Sequence, residues 1–275
     1  MKVRFLAPAL AVAAALMLAP AAASAWAPAP GAIHPGAQLI TAGAQCTANF
    51  IYSDGGSTYI GQAAHCSGTG AATDTNGCTA ASLPLGTPVT ITGADNPGTL
   101  VYNSWLTMQS LHEADAETCQ YNDLALVRVD PADVAKINPS VPGFGGPTGV
   151  ASLGGTASTV YTYGNSELRG GVQKLSPKQG VVVQRSPGGW STDLYTLTPG
   201  IPGDSGSGFL TASGQAAGIL STVAIAPLPA SNGVGDLPNE LAYMHAHGGP
   251  GASVVNGTEA FNGSLVNAIA NAPIS

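Results

Sequence analysis

Three short stretches of the chain hold residues whose types could do nucleophilic chemistry together. "GQAAHCSGTG" carries His65, "YNDLALVRVD" carries Asp123 at the head of an apolar run, and "PGDSGSG" carries Ser205 on a glycine-rich bend. Each has a plain structural explanation when taken alone: a surface histidine, the polar end of a strand, a tight turn. Taken together they supply a complete set. A serine hydroxyl attacks a carbonyl poorly until an imidazole removes its proton, and the imidazole needs a carboxylate to hold its tautomer. The order His, Asp, Ser along the chain belongs to one of several unrelated architectures that bring such a set together.

The elements that must position these side chains are short strands. Only 8% of the 275 residues are charged, while 37 glycines and 21 prolines punctuate short apolar runs. That pattern suits an all-β protein with many turns and argues against disorder. "TANFIY", "DGG" and "STYIGQAAH" read as strand, turn, strand. Further strands are expected in "TPVTITG", "LVYNSWLTM", "DLALVRV", "STVYTYG", "GVVVQR", "DLYTLT", "GSGFLTA" and "AGILSTVAIA". The Pro- and Gly-rich stretch 131–155 reads as a connector between two packed β subdomains. The only helix expected lies at the end, about residues 262–272.

Residues 1–25 combine Lys2 and Arg4, an Ala/Leu-rich run and the small-residue ending Ala23-Ser24-Ala25. This predicts a secretory signal cleaved before Trp26, in preference to a retained membrane anchor. Residues 26–39 then read as a short leader or linker. Cleavage would remove two positive charges and no acid from a chain whose net charge is already −7. An acidic surface of that kind argues against nucleic acid and anionic lipid as partners. Four cysteines, Cys46, Cys66, Cys78 and Cys119, with no C-x-x-C pair, favour two disulfides over a metal site, with three connectivities open.

"AAHC" at 63–66, "NDLALV" at 122–127 and "GDSG" at 203–206 resemble the motifs of the chymotrypsin-like serine proteases, especially secreted bacterial members. The resemblance implies two antiparallel six-stranded β-barrels, the first about 40–130 and the second about 156–250, within a domain of 40–275 that ends in a helical segment, 251–275. It implies that His65 is general base and acid, Asp123 its orienting carboxylate and Ser205 the nucleophile. The N–H groups of Gly203 and Ser205 would form the oxyanion hole. Cys46–Cys66 is the implied bridge beside His65, which leaves Cys78–Cys119 as the second. Two such loops are worth about 3–4 kcal/mol each as an idealised upper value. The implied substrate is a protein or peptide, handled by a monomer without cofactor or metal.

Several details depart from the family pattern. Counting back from Ser205 places the base of the specificity pocket near Thr198 or Pro199, neither of them acidic, with Asp193 further upstream. "GILSTV" puts Ser221 and Val223 beside that pocket, and a branched side chain there would narrow it toward small or medium apolar residues. Asp204 needs a cation if it is buried, and Arg128, Arg169 and Arg185 are the available guanidinium groups. Ile33 lies too close to Cys46, and without a preceding Arg or Lys, to serve as an ordinary activation terminus.

Rival readings are an esterase of the same fold or a catalytically silent binding module. The G-D-S start of the SGNH hydrolases belongs near an N-terminus, and G-x-S-x-G fails because position 207 is Ser. His245-Ala246-His247 is a weak metal candidate that reads more plainly as a polar loop, and the two Asn-Gly sequons at Asn256 and Asn262 read as turns.

Overall fold

A computed structural model describes residues 26–71, 74–223 and 228–272. The expected signal peptide, residues 1–25, lies outside them. The chain forms β1 (Gln38–Thr41), β2 (Ala44–Thr47), β3 (Ile51–Ser53), β4 (Thr58–Ala63), β5 (Pro88–Ile91), β6 (Gly98–Asn103) and β7 (Leu124–Arg128) in its first half. The second half holds β8 (Thr159–Tyr163), β9 (Pro177–Arg185), β10 (Ser191–Thr196), β11 (Gly208–Thr211), β12 (Ala216–Val223), β13 (Asn232–Asp236) and β14 (Ser253–Val254). Helices α1 (Ser104–Leu111), α2 (Ala116–Tyr121), α3 (Leu237–Ala246) and α4 (Leu265–Asn271) lie between and after them.

The strands divide into two antiparallel systems. β8 to β13 close into a six-stranded barrel in the order β10-β13-β12-β11-β8-β9. The first half forms a curled, open sheet of eight strands in the order β14-β3-β4-β7-β6-β5-β1-β2. The implied architecture of two β subdomains therefore holds, with one difference of detail: the first is not closed and is not six-stranded. β14 arrives from the C-terminal segment to pair with β3, and β2 pairs only with β1. The far side of β2 is turned toward the Ser205 loop, where Thr47 N–H donates to Ser205 O at 2.8 Å.

Local sequence explains the strands that matter most. The unbroken apolar run of β7, buried along Leu124–Val127, sits between β4 and β6, as expected of a strand covered on both faces. Alternating exposure along β5 follows the two-residue period of a strand with one face in water. In the β3–β4 hairpin, Asp54 Oδ1 accepts the N–H groups of Gly56 and Ser57 at 2.8 and 2.7 Å, and Gly55 takes φ +86°. That is an Asx turn completed by a residue without a Cβ.

The helix expected at about 262–272 is present as α4, and the other helices are where the sequence reading falls short. "LVYNSWLTM" is not one strand; it breaks at Asn103, whose side chain accepts from Trp105 N–H (2.9 Å) and Leu106 N–H (3.3 Å) and caps α1. Asp115 caps α2 and Asp236 caps α3 in the same way. Residues 26–37 are docked rather than free: Ala27 N–H donates to Ile137 O at 2.8 Å, and Ile33 is fully buried. Among the described residues, no helix is long and apolar enough to cross a membrane.

Three apolar clusters hold the molecule. One fills the first sheet (Leu39, Ile60, Val89, Leu100, Val127) and one the closed barrel (Val160, Leu194, Phe209, Leu220, Val234). The third joins the two halves through Phe50, Tyr52, Leu124, Phe144, Ile219 and Met244. Phe50 has no exposed surface in that joining cluster. Phe50→Ala should cost about 3–5 kcal/mol by leaving a cavity where the halves meet. The check is the denaturant midpoint, which should fall with little change in slope.

Candidate active site

His65 sits in a 3-10 turn, Ala64–Ser67, at the end of β4, and Asp123 directly precedes the neighbouring β7. The β4–β7 register, Ala63 opposite Leu124, brings the two residues side by side. His65 Nδ1–H donates to Asp123 Oδ2 at 2.7 Å, and His65 backbone N–H donates to Asp123 Oδ1 at 2.9 Å. Ser221 Oγ, from β12 in the other half, donates to the same Oδ2 at 2.6 Å. Asp123 is only 2% exposed, whereas the His65 side chain keeps 25% of its surface open to a cleft.

Ser205 lies on the loop between β10 and β11 and faces that cleft with His65. No hydrogen bond joins Ser205 Oγ to His65 among the described residues. The loop is held from β2: Gly203 O accepts from Thr47 Oγ–H at 2.7 Å and from Gln45 Nε2–H at 3.1 Å. Asp204 N–H donates to Ile201 O at 2.9 Å, while the N–H groups of Gly203 and Ser205 on either side have no acceptor among the described residues. Gly203 adopts φ +94°, and a Cβ there would come within 2.2 Å of Gln45 Oε1, so only glycine fits without a shift.

This arrangement, an open sheet and a closed barrel with a cleft across their junction, matches solved structures. Thermobifida fusca protease A aligns with a TM-score of 0.52 and 19% identity, covering 82% of this chain and 99% of its own. Nocardiopsis protease aligns with a TM-score of 0.51 and 16% identity, covering 81% of this chain and 98% of its own. The chain has the chymotrypsin-like fold. No family model matches it, and no curated protein matches it in sequence.

Both disulfides of this chymotrypsin-like domain serve the cleft. Cys46–Cys66 (Cα–Cα 6.2 Å) ties β2 to the turn bearing His65. Cys78–Cys119 (Cα–Cα 5.1 Å) ties α2, which leads into Asp123, to the loop beneath Trp105, and the Trp105 ring lies 6.4 Å from that of His65. Cys46, His65 and Cys66 lie close together, but the bridge occupies both sulfurs, so they do not form a metal set.

Asp204 is wholly buried, and of the three candidate guanidinium groups its partner is Arg169. Arg128 is exposed, and Arg185 pairs with Asp236 at 2.6 Å. The sequence reading missed the second cation: Lys178 Nζ, from β9, donates to Asp204 Oδ2 at 2.6 Å and to Pro199 O at 3.1 Å. Burial pulls the Lys178 ammonium below its ordinary value of 10.5, and the Asp204 charge works against that pull.

The cleft encloses about 890 Å³, and its wall on the Ser205 side is made by Gly200, Ile201, Leu220, Ser221 and Val223. Ser221 and Val223, expected beside a specificity pocket, both line this cleft. Thr198 and Pro199 do not line it; Thr198 O accepts from Thr196 Oγ–H, and Pro199 O faces Lys178. Both residues are exposed, and the chain reaches the cleft one residue later than counting suggested, at the buried Gly200. Asp193 does not reach it either, and accepts from Gln184 at 2.8 Å. His245 and His247 close α3, where two positions along a helix diverge; His245 Nε2 contacts Ala252 O at 3.0 Å and His247 packs on Tyr243.

Burial alone would lower the His65 pKa, but the charge and hydrogen bond of Asp123 outweigh it and leave the ring above its ordinary 6.5. Any activity that needs neutral His65 should rise with pH through a midpoint above that value, and Asp123→Asn should lower the midpoint. The stability contribution has the opposite sense: it is fully present below pH 6.5 and fades as pH rises through the folded value. Ring-proton titration by NMR checks both. Lys178→Met should destabilise the fold by about 1.5–3 kcal/mol, the loss of one charge-assisted hydrogen bond with Arg169 still paired to Asp204, read as a lower denaturant midpoint.

Proposed function

We propose that the protein is a secreted serine endopeptidase that hydrolyses peptide bonds through an acyl-enzyme intermediate. His65 takes the Ser205 Oγ proton as Oγ attacks the carbonyl carbon, and later gives that proton to the leaving amine. Asp123 holds the proton-bearing Nδ1 and stabilises the imidazolium. The observation that carries the reading is one cleft lined by Ser205 and by His65, which Asp123 holds from behind, with two N–H groups on Gly203 and Ser205 that have no acceptor among the described residues. Those N–H groups are the donors that an oxyanion needs. The triad roles are those known for proteases of this fold. The structural neighbours are named as proteases, which supports the same class here, and two disulfides support an oxidising, extracellular location.

The substrate preference proposed is a small apolar residue before the scissile bond. A Cβ added at Gly200 would lie 3.1 Å from both Leu220 Cδ2 and Val223 Cγ2 and 2.8 Å from Asn232 Oδ1, so the walls converge there. None of the described residues on that wall is a carboxylate that could pair with Lys or Arg.

A fluorophosphonate probe should label Ser205, and Ser205→Ala should abolish labelling and lower kcat by roughly 10^5–10^6-fold. Matched amide and ester substrates with Ala, Phe, Lys or Glu before the bond should show amide cleavage fastest after Ala. A folded protein that neither labels nor loses activity in the Ser205→Ala variant would sink the reading; cleavage of esters alone would make it an esterase.

A further inference from the structure

Behind the His65–Asp123 pair, on the side away from the cleft, the first turns of α3 place Glu240 in the core. Its side chain has no exposed surface, and Oε1 accepts the Asp123 backbone N–H at 2.9 Å. Asp123 O in turn accepts Ala64 N–H at 2.6 Å. The backbone of the orienting acid is therefore held at both its C=O, by the turn that bears His65, and its N–H, by a side chain from the other half. We propose that Glu240 is a positioning residue for Asp123: its Oε1 fixes the Asp123 backbone from the core side and so sets where Asp123 presents its carboxylate to His65. This rests on the hydrolase reading above, in which Asp123 orients the base.

Glu240 acts in this role as a neutral carboxyl. No cation among the described residues reaches it. The acidic and phenolic groups around it are Asp123 ahead of β7, Asp236 at the α3 cap, Tyr52 on β3 and Tyr102 on β6, and β12 offers no titratable side chain. Arg185 is engaged by Asp236, and Arg128 at the end of β7 is exposed. Oε2 is buried without a partner, as is the Tyr102 hydroxyl. An anion there would carry a desolvated oxygen with nothing to stabilise it. Burial pushes the carboxyl well above its ordinary 4.5; the Asp123 N–H bond opposes this, and the charges of Asp123 and Asp236 add to it. Kept neutral, Glu240 supplies an acceptor without a second negative charge that would strengthen His65 as a base.

The test compares wild type, Glu240→Gln and Glu240→Leu on one amide substrate cleaved by the wild type, with kcat and KM measured across pH 5–9. Gln keeps the acceptor and the neutral shape, so kcat should stay within about twofold and the pH midpoint should not move. Leu removes the acceptor and frees the Asp123 peptide. Its kcat should fall about 10- to 100-fold with KM little changed, because a small misplacement of a catalytic group has that cost. Infrared difference spectra should show a protonated-carboxyl stretch in the wild type at pH 7 that is missing from the Gln variant. A Leu variant with wild-type kcat overturns the role, as does a Gln variant that loses as much as Leu. A lowered midpoint in the Gln variant also overturns it, because Glu240 would then act by charge. If the Leu variant does not fold, retention of kcat and midpoint in the Gln variant supports the role, and loss of either overturns it. An inert, unlabelled wild type overturns the hydrolase reading and this role with it, whereas the other failures leave that reading standing.

Discussion

The carboxyl oxygens of Asp123 are buried and need hydrogen-bond donors, and much of the molecule is arranged around that requirement. An unpaired ion at 2% exposure would cost several kcal/mol. Three donors meet it: His65 Nδ1–H, His65 backbone N–H and Ser221 Oγ–H. They come from both halves of the chain, since His65 follows β4 and Ser221 lies on β12. Glu240 adds a fourth tie, to the backbone, from α3. The junction of the sheet and the barrel is therefore fastened at Asp123, the residue hydrogen-bonded to His65. The apolar cluster around Phe50, Phe144 and Ile219 closes the same junction beneath it.

Asp204 is a second buried carboxylate, one residue from Ser205, and it is balanced in a different way. Arg169 and Lys178 supply two cations, both nearly buried, and neither faces the cleft. Asp123 instead meets neutral donors and one imidazole that can gain or lose a proton. The physical consequence is a division of labour. The Asp204 pairs hold the loop whose Gly203 and Ser205 N–H groups stay free. The Asp123 contacts leave one proton mobile, on His65. β2 completes the loop's support through Gln45 and Thr47, and Cys46 between them is bridged to Cys66 beside His65.

The strands were readable because their cues are local: the apolar run of β7, the Asp54-Gly55-Gly56 turn, the alternation of β5. Of the helices only the C-terminal α4 was readable; α1 was not, because it hides inside a stretch of strand-forming residues. Asn103 there could serve a strand or a cap equally well, and the cap wins because Trp105 and Met108 bury on the α1 side of the break. At the site, the motif residues were visible as residue types in order. Lys178, Gln45 and Thr47 carry no motif, and nothing in their neighbours marks them. They matter only because β9 and β2 deliver them to the Ser205 loop from 27 and about 160 positions away in the chain. Thr198 and Pro199 failed as pocket residues for a related reason: counting along a loop does not reveal that both stay exposed and that the chain reaches the cleft only at Gly200.

The amino-acid sequence by itself determined which groups are able to react, in which order they occur, and that short strands in two groups would carry them. Those properties follow from residue type and from periodicity over a few positions. Only the tertiary structure decided which charges are paired, which N–H groups stay free and which side chains face the cleft. Each of those depends on distances between segments far apart in the chain, and on whether water is excluded from the space between them. Glu240 shows the difference most plainly. In "DLPNELAYMH" it is an ordinary helical acid, and only its burial against Asp123 makes it part of the site.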